Sequence, residues 1–410
     1  MERYISLLGF FVFVALAWCL SDNRRKIRYR TLVVGVAVQF GLAAFIFLTP
    51  LGESLRNSGK LGIESLNDCA AKGAISVFGT DIYSTKSLLC TALPVIIFFS
   101  ALTAVLFHLG ILQWVTRVGA WLMARLLGTS GSESVCTTAN IFVGMNTAPL
   151  MIRPYLGTMT RSELMLLMVG GLATSAGGTM AAYSMTFGVN AGHLVVASIL
   201  SAPAAIVIAK LMIPETEESP TYGKVKVEVK RESVGVIDAA CRGASEGLKI
   251  AITVAAMLIA FVSLVALMNL ILGWIGTVGG EPLTWQRILG WLFSPFAWLL
   301  GVPPQDVSSV GYLLGEKTVT NEFIAYGSLQ SMMPGAAETG TLSARSVVIC
   351  TYALCGFANF GSIAVMIGGI STLIPERRVD LARLGIRSLI GGVLVTLMTA
   401  ALAGVFFDLI

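Results

Sequence analysis

Charge is scarce in this chain: Asp, Glu, Lys and Arg make up only 12% of its 410 residues, roughly half the share of an average soluble domain. Histidine is scarcer still. His108 and His193 stand far apart and give little basis for a metal centre. The seven cysteines (Cys19, Cys69, Cys90, Cys136, Cys241, Cys350, Cys355) are odd in number and lie mostly in apolar runs. They show no paired metal-ligand spacing and read as small apolar residues. No paired acid and base, and no nucleophile with its base, emerges either, which argues against an enzyme. A cleavable leader is not evident. Residues 5–20 are apolar, but no basic segment precedes them and no small-residue cleavage site follows before Asp22, so they read as a first membrane span. These absences exclude a disordered chain, a nucleic-acid module and an ordinary cytosolic enzyme.

What remains is apolar. Hydrophobic residues make up 55% of the chain and the mean hydropathy is +0.81, the composition of an all-α polytopic membrane protein. A span needs about 20 apolar residues. Runs of that kind occupy 4–20, 32–50, 88–112, 164–186, 194–213, 250–275, 346–372 and 388–408, giving eight transmembrane helices. The net charge is +5, but its placement matters more than its sum. The loop SDNRRKIRYR between the first two runs holds Arg24, Arg25, Lys26, Arg28 and Arg30 against Asp22. The positive-inside rule makes it cytoplasmic and puts the N-terminus outside. Alternation puts 51–87, where acids and bases balance, outside and the basic segment PERRVDLAR (375–383) inside. The C-terminus is then outside too.

Two stretches do not read as simple spans. Residues 114–160 combine an amphipathic piece, WVTRVGAWLMARLLG, with SVCTTANIFVGMNTAPLMI, a moderately apolar run broken by small and polar residues. In 284–328, LTWQRILGWLFSPFAWLLG stops at Pro303-Pro304 and a second arm, TVTNEFIAY, follows. Both suit re-entrant hairpins, tolerated where protein or a water-filled cavity covers the backbone. The halves also echo each other. Asn140-Ile141-Phe142 resembles Asn321-Glu322-Phe323, and each hairpin precedes a span broken by glycine and polar residues, GGLATSAGG (170–178) and CGFANFGS (355–362). By span count one hairpin enters from inside and the other from outside. An inverted repeat with broken helices meeting at the midplane is the plan of a secondary transporter.

Glu322 is the strongest single hint, because a carboxylate at bilayer depth is costly unless it faces a cavity or a partner. Asn140, Asn321 and Asn359 add amides at the break points, and Thr174, Ser175 and Ser362 add hydroxyls.

The segments ANIFVG…APLMIRPYL, NEFIAY, CGFANFGSIAVMIGG, SAPAAIVIAKLMIPETE (201–217) and GVIDAACRGASEGLKIAI (235–252) closely resemble the concentrative nucleoside transporter family. The resemblance covers nearly the whole chain. It implies eight spans, two re-entrant hairpins, interfacial helices, a homotrimer and cation-driven nucleoside uptake across a bacterial-type cytoplasmic membrane, commonly with sodium. On that plan the chain divides into a two-span scaffold with an interfacial helix (1–87), a first repeat half (88–213) and a cytoplasmic connector with an interfacial helix (214–248). A second repeat half (249–372) and a C-terminal span (373–410) complete it. Carried over by position, the sodium ligands are the Asn140 side chain, the carbonyls of Val143 and Ser175, and the hydroxyl of Thr174, where other members carry serine. Either hydroxyl suits a hard cation. Ribose falls to Glu322, Asn359 and Ser362 with Phe357 alongside, and Ile250 matches an apolar position against the base.

The departure lies in the first hairpin. Familiar members read Gly-Gln-Thr-Glu or Gly-Gln-Asn-Glu there; this chain reads Gly144-Met145-Asn146-Thr147 before Ala148-Pro149. Met145 replaces the glutamine that meets the base edge, Thr147 replaces a glutamate, and Thr179 stands where some members have a base-contacting valine. The ribose and cation halves are intact while the base half is rewritten, which puts pyrimidine selectivity in doubt. Asn146 and Thr179 are left to read a different base or another ribosylated or polyol-like compound. The expected function is sodium-coupled nucleoside import. The alternative is the same fold carrying a different polar metabolite. A proton is the second candidate for the coupling ion, though Thr147 leaves one fewer buried titratable group for it.

Overall fold

A computed structural model describes residues 1–84, 87–222, 233–278, 280–335, 342–407 and 409. Part of the 214–248 connector, residues 223–232, therefore lies outside the described residues. Of the described residues, 82% are helical. Apolar helices α1 (Glu2–Cys19) and α2 (Tyr29–Leu48) flank the basic loop, and the long polar α3 (Pro50–Phe78) and short α4 (Thr80–Ser84) follow. Next come α5 (Leu88–His108), amphipathic α6 (Ile111–Leu127), α7 (Gly131–Val143) and α8 (Arg153–Leu156). The first broken helix is α9 (Arg161–Ala173) with α10 (Gly177–Phe187), after which α11 runs from Ala191 to Met212 and α12 from Val236 to Ile275. Then come α13 (Trp285–Leu299), α14 (Val307–Val319) and α15 (Glu322–Met332). The second broken helix is α16 (Ala344–Leu354) with α17 (Phe360–Leu373), and α18 (Arg378–Phe407) closes the chain. A two-residue antiparallel pairing, Thr277–Val278 with Glu281–Pro282, is the one sheet among the described residues.

Seven described helical segments are long and apolar enough to cross a membrane: α1, α2, α5, α9 with α10, α11, α12, and α18 with the turn before it. The halves of the second broken helix, α16 and α17, are apolar but individually short. Burial ranks these segments. The apolar window ending in α18 is 89% buried and that of α11 83%, against 6% for α12. So α11 and α18 form the centre, and α12 runs along the outside against α5. Gly243 and Gly247 let α12 settle onto Ser100 and Ile97 of α5. At 40 residues, α12 is about 60 Å long by helical rise, twice a hydrocarbon core of about 30 Å. It runs unbroken through residues 248 and 249, where the sequence reading divides connector from span.

One end of the bundle gathers basic loops. Arg161 and Arg387 both pair with Asp22, Arg377 donates to the carbonyls of Gly157 and Met159, and the Asp22 amide donates to Met212 O at 3.0 Å. The start of α7 lies at the same end. Ser130 and Ser132 donate to Glu163, which itself closes a capping box at the start of α9. Since α8 runs out at Leu156, next to Gly157, the segment 131–156 begins and ends at this same end.

The opposite end is organised by Asp306, just ahead of α14. Its carboxylate accepts from Ser343 N (3.0 Å), Ser343 Oγ (2.7 Å) and Ser346 Oγ (2.6 Å) at the start of α16. The far end of α15 is held there too, through Leu342 N to Met332 O at 3.2 Å. The stretch 284–328 thus differs from the two-arm expectation. α13 ends at Leu299, ahead of Gly301 at φ +74 and Pro303-Pro304, and a second break, at Thr320–Asn321, divides α14 from α15. Thr320 leaves helical geometry at ψ −93, and extended Asn321 caps the new helix by accepting from Ile324 N at 2.9 Å. A single capping amide inside an apolar run is a weaker signal than two prolines, so the sequence showed the outer turn first.

Candidate functional site

The two broken helices touch at their breaks. α9 stops where Thr174 goes extended, and α10 resumes after Ala176. α16 stops at Cys355, and α17 resumes after Asn359, whose Oδ1 caps the Ser362 amide at 2.8 Å. Between them Gly356, at φ +126, runs against α9. A Cβ there would sit 2.8 Å from the Ala173 carbonyl oxygen, so glycine serves both the positive φ and the close approach. The turns that follow α7 and α14 each reach one break. In the first half Gly144, at φ +78, abuts Ala176, where an added Cβ would approach to 2.8 Å. In the second half Glu322, the first residue of α15, meets Asn359.

Around Glu322 the polar groups converge. Its Oε1 accepts from Tyr183 Oη at 3.1 Å and its Oε2 from Asn359 Nδ2 at 2.8 Å. Glu322 is 6% exposed, Asn359 1% and Ser362 7%, so the carboxylate sits in a nearly dry place where charge-assisted hydrogen bonds are strong. A carboxylate has about four acceptor positions, and these two side-chain donors leave capacity for a ligand's hydroxyls. Phe357 is half-buried one turn away, its carbonyl accepting from Asn359 N at 2.9 Å. Aromatic rings wall the carboxylate. Tyr183 stands edge-on to Phe323 with centroids 5.7 Å apart, and tilted on Tyr326 at 4.6 Å.

The other cluster lies where α7 meets the end of α9. Asn140 is buried against Gly170, and its Nδ2 points to Cys136 Sγ at 3.9 Å. Its Oδ1 is buried and has no hydrogen-bond partner among the described residues. Val143 is the last residue of α7, so its carbonyl has no intrahelical donor. Thr174 Oγ1 donates to Gly170 O at 2.9 Å, leaving its lone pairs free, and the Ser175 carbonyl takes only a 3.4 Å contact from Ser198 Oγ. The set is oxygen-only and uncharged, with one orphaned acceptor, which fits a hard monovalent cation.

The base-side residues are more scattered. Met145 is buried against Gly171 of α9. Asn146 is exposed beside Gly369 of α17, and Thr147 is half-buried. Thr179 is half-buried and its hydroxyl donates to Ala176 O at 2.8 Å. Ile250 lies on the outer helix α12 and is 41% exposed. No described contact joins Met145, Thr147 or Ile250 to Glu322.

Two site residues escaped the sequence reading, Tyr183 and Lys317. Lys317 is 2% exposed, and its Nζ donates to Ala353 O at 2.7 Å and Thr396 Oγ1 at 3.1 Å. The argument that singled out Glu322, the cost of charge at bilayer depth, applies to Lys317 equally. Tyr183 had no such signal, since a tyrosine in an apolar helix is ordinary.

Three family descriptions tile the chain. Residues 8–81 match "Na+ dependent nucleoside transporter N-terminus", 89–190 "Nucleoside recognition" and 193–404 "Na+ dependent nucleoside transporter C-terminus". An uncharacterized transporter of Bacillus subtilis, YutK, is 41% identical over 98% of both chains. The sodium/nucleoside cotransporter 1 of Rattus norvegicus is 38% identical over 99% of this chain and 64% of its own. Among solved structures, CNTnw in an inward-facing substrate-bound state superposes with a TM-score of 0.93 at 41% identity, covering 100% of this chain and 99% of that one. This multi-pass membrane protein is a transporter rather than an enzyme, and it belongs to the Na+-dependent nucleoside transporter family.

Proposed function

We propose that the chain imports nucleosides, each drawn in with sodium, through eight spans and two oppositely directed re-entrant hairpins. α16 and α17 together make the eighth span, since one extended break of five residues divides a stretch of otherwise apolar helix. The observation that carries the reading is the buried carboxylate of Glu322. It is held by Tyr183 and Asn359 with acceptor capacity to spare, as vicinal ribose hydroxyls require. The coupling cation is assigned to Asn140, Val143, Thr174 and Ser175, on the strength of the orphaned Asn140 oxygen. Both clusters sit on the touching breaks, so filling one stiffens the helix ends on which the other is built. That is the coupling a symporter needs. With Met145 buried and Thr147 uncharged, the base side is the less discriminating half. Assembly is assigned as a homotrimer, as elsewhere in the family.

The test is uptake of labelled nucleosides into proteoliposomes with an inward sodium gradient, against potassium and against a proton gradient. A competition panel of nucleosides, free bases and sugars accompanies it. Accumulation above equilibrium with sodium, blocked by nucleosides and not by sugars, is the expected result. Block by another polar metabolite alone would favour the same fold with a different cargo.

Topology has its own expected outcome. The end bearing Arg24–Arg30, Arg161 and Arg377 is assigned to the cytoplasm, with both termini outside. Arg25 and Arg378 are exposed there. In a background without native cysteines, Arg25→Cys and Arg378→Cys should resist impermeant thiol reagents in intact cells and react after permeabilisation. Labelling of both in intact cells would invert the assignment.

A further inference from the structure

The end of α14 and the start of α15 bring three ionisable side chains inside the fold, Glu316, Lys317 and Glu322, each only 2–6% exposed. Two of them answer each other. The Lys317 ammonium, which donates to Ala353 O and Thr396 Oγ1, has the Glu322 carboxylate as its electrostatic partner. Glu316 is the odd acid. Its Oε1 accepts from Tyr312 Oη, and Ser328 Oγ of α15 lies 3.5 Å from that same hydroxyl. Its Oε2 is buried and has no hydrogen-bond partner among the described residues. The helices packed most closely on α14 are α13, α15 and α16, and their other ionisable groups are engaged elsewhere. Arg287 of α13 donates to the carbonyls of Val278 and Pro282. Tyr326 of α15 donates to Thr351 O. On α16, Arg345 donates to the carbonyls of Gly301 and Gly404, Tyr352 Oη meets His193 Nδ1, and Cys350 is a buried thiol. An ionised carboxylate with one bare oxygen in so dry a place is costly, and a buried acid escapes that cost by holding a proton.

The first half of the chain points the same way. Glu316 is the tenth residue of α14 as Asn140 is the tenth of α7, and both helices are 13 residues long. One place is thus filled by an amide in one half and an acid in the other, each with an unpartnered oxygen. A protonated acid is neutral and planar, as the amide is. The surroundings decide which cation each oxygen takes. Beside Asn140 the Val143 carbonyl stands open at a helix end. At Glu316 the helix runs on to Val319, and the Glu316 carbonyl is already taken by Thr320 N at 2.8 Å and Thr320 Oγ1 at 2.5 Å. A hard metal ion wants roughly six oxygens, whereas a proton needs one. We infer that Glu316 is a proton-binding site, holding one proton on its bare oxygen in the folded chain, separate from the cation assigned to Asn140. With Lys317 and Glu322 cancelling, that proton leaves the three buried residues without net charge. The inference goes beyond nucleoside import and stands whether or not the chain carries nucleosides.

The test compares the parent with Glu316→Gln, whose amide copies the neutral acid. Infrared spectra of the full chain in lipid, at neutral pH in sodium, read the carbonyl stretch of buried neutral carboxylic acids. The parent should show such a band, and Glu316→Gln should lose one acid's worth of it. An unchanged band would overturn the inference. So would failure of Glu316→Gln to fold, since glutamine offers Tyr312 the same acceptor and carries no charge. Sodium titration of thermal unfolding in detergent, with potassium as control, separates the two cations. Parent and variant should gain equally from sodium, and a smaller gain in Glu316→Gln would put sodium rather than a proton on Glu316. The pH dependence of unfolding closes the test. The unfolded chain gives up this proton above about pH 4.3, the ordinary glutamate value, while the folded chain keeps it. The parent's folding equilibrium should therefore fall, relative to Glu316→Gln, by about tenfold per pH unit until the folded site also releases its proton. Stabilities that track each other from about pH 5 to about pH 8 would overturn the inference. None of these measurements contains nucleoside, so they decide the proton site even if the transport reading fails.

Discussion

Glu322→Gln is expected to lower nucleoside uptake by at least about tenfold, with the protein still folded. A charge-assisted hydrogen bond in a buried site contributes about 1.5–3 kcal/mol, or roughly ten- to a hundredfold in binding. The geometry explains why folding survives. Asn359 Oδ1 is committed to the Ser362 amide, so its Nδ2 must keep facing residue 322. The new glutamine therefore turns its carbonyl to Asn359 and its amide to Tyr183, whose hydroxyl can rotate to accept. Every protein partner is kept, and what disappears is the negative charge and the spare acceptor capacity. A ribose hydroxyl that donates to Glu322 loses its partner, and a deoxy analogue never had it. Deoxyribonucleosides should accordingly compete poorly in the parent but nearly as well as ribonucleosides in the variant, the double-mutant logic applied across the ligand. Equal competition by ribo and deoxy compounds in the parent would remove Glu322 from the ribose contacts.

The sequence made the breaks legible because polar and glycine-rich stretches inside apolar spans are rare. GGLATSAGG and CGFANFGS are where α9 and α16 stop. Glu322 was legible for the same reason. Four things were not. The turn between α14 and α15 rests on one capping residue, Asn321, whose role appears only once Ile324 N is seen to point at it. Tyr183 contributes a single hydroxyl from 139 residues away, and no local pattern links it to Glu322. The placement of Met145 depends on its close approach to Gly171 of α9, which no local pattern in the sequence links to it. Sequence spacing gave its place in the hairpin, while the packing decides which way it faces. The contact between breaks hangs on Gly356 meeting Ala173, and a positive-φ glycine reads in sequence like any other.

Removing the Asn140 amide is expected to abolish sodium dependence while sparing the fold. Burying an acceptor without a partner costs about 1–3 kcal/mol, so the orphaned Asn140 Oδ1 is a standing cost that a bound cation relieves. Asn140→Ala deletes both cost and ligand, leaving the sodium-free protein about as stable as before or slightly more so. A ligand that binds only the folded state stabilises it by RT ln(1 + [L]/Kd), about 2.7 kcal/mol at a hundred times Kd. The parent should therefore melt at a higher temperature in sodium than in potassium, and Asn140→Ala at the same temperature in both. Thr174 separates the hydroxyl from its shape: Thr174→Ser keeps the oxygen and should keep the sodium shift, whereas Thr174→Val should lose most of it. Uptake should follow the melting data, with Asn140→Ala no longer concentrating nucleoside on a sodium gradient. If Asn140→Ala retains the parent's sodium dependence in both melting and uptake, the cation is held elsewhere. An undiminished response to a proton gradient alone, in parent and variant alike, would move the coupling from sodium to protons.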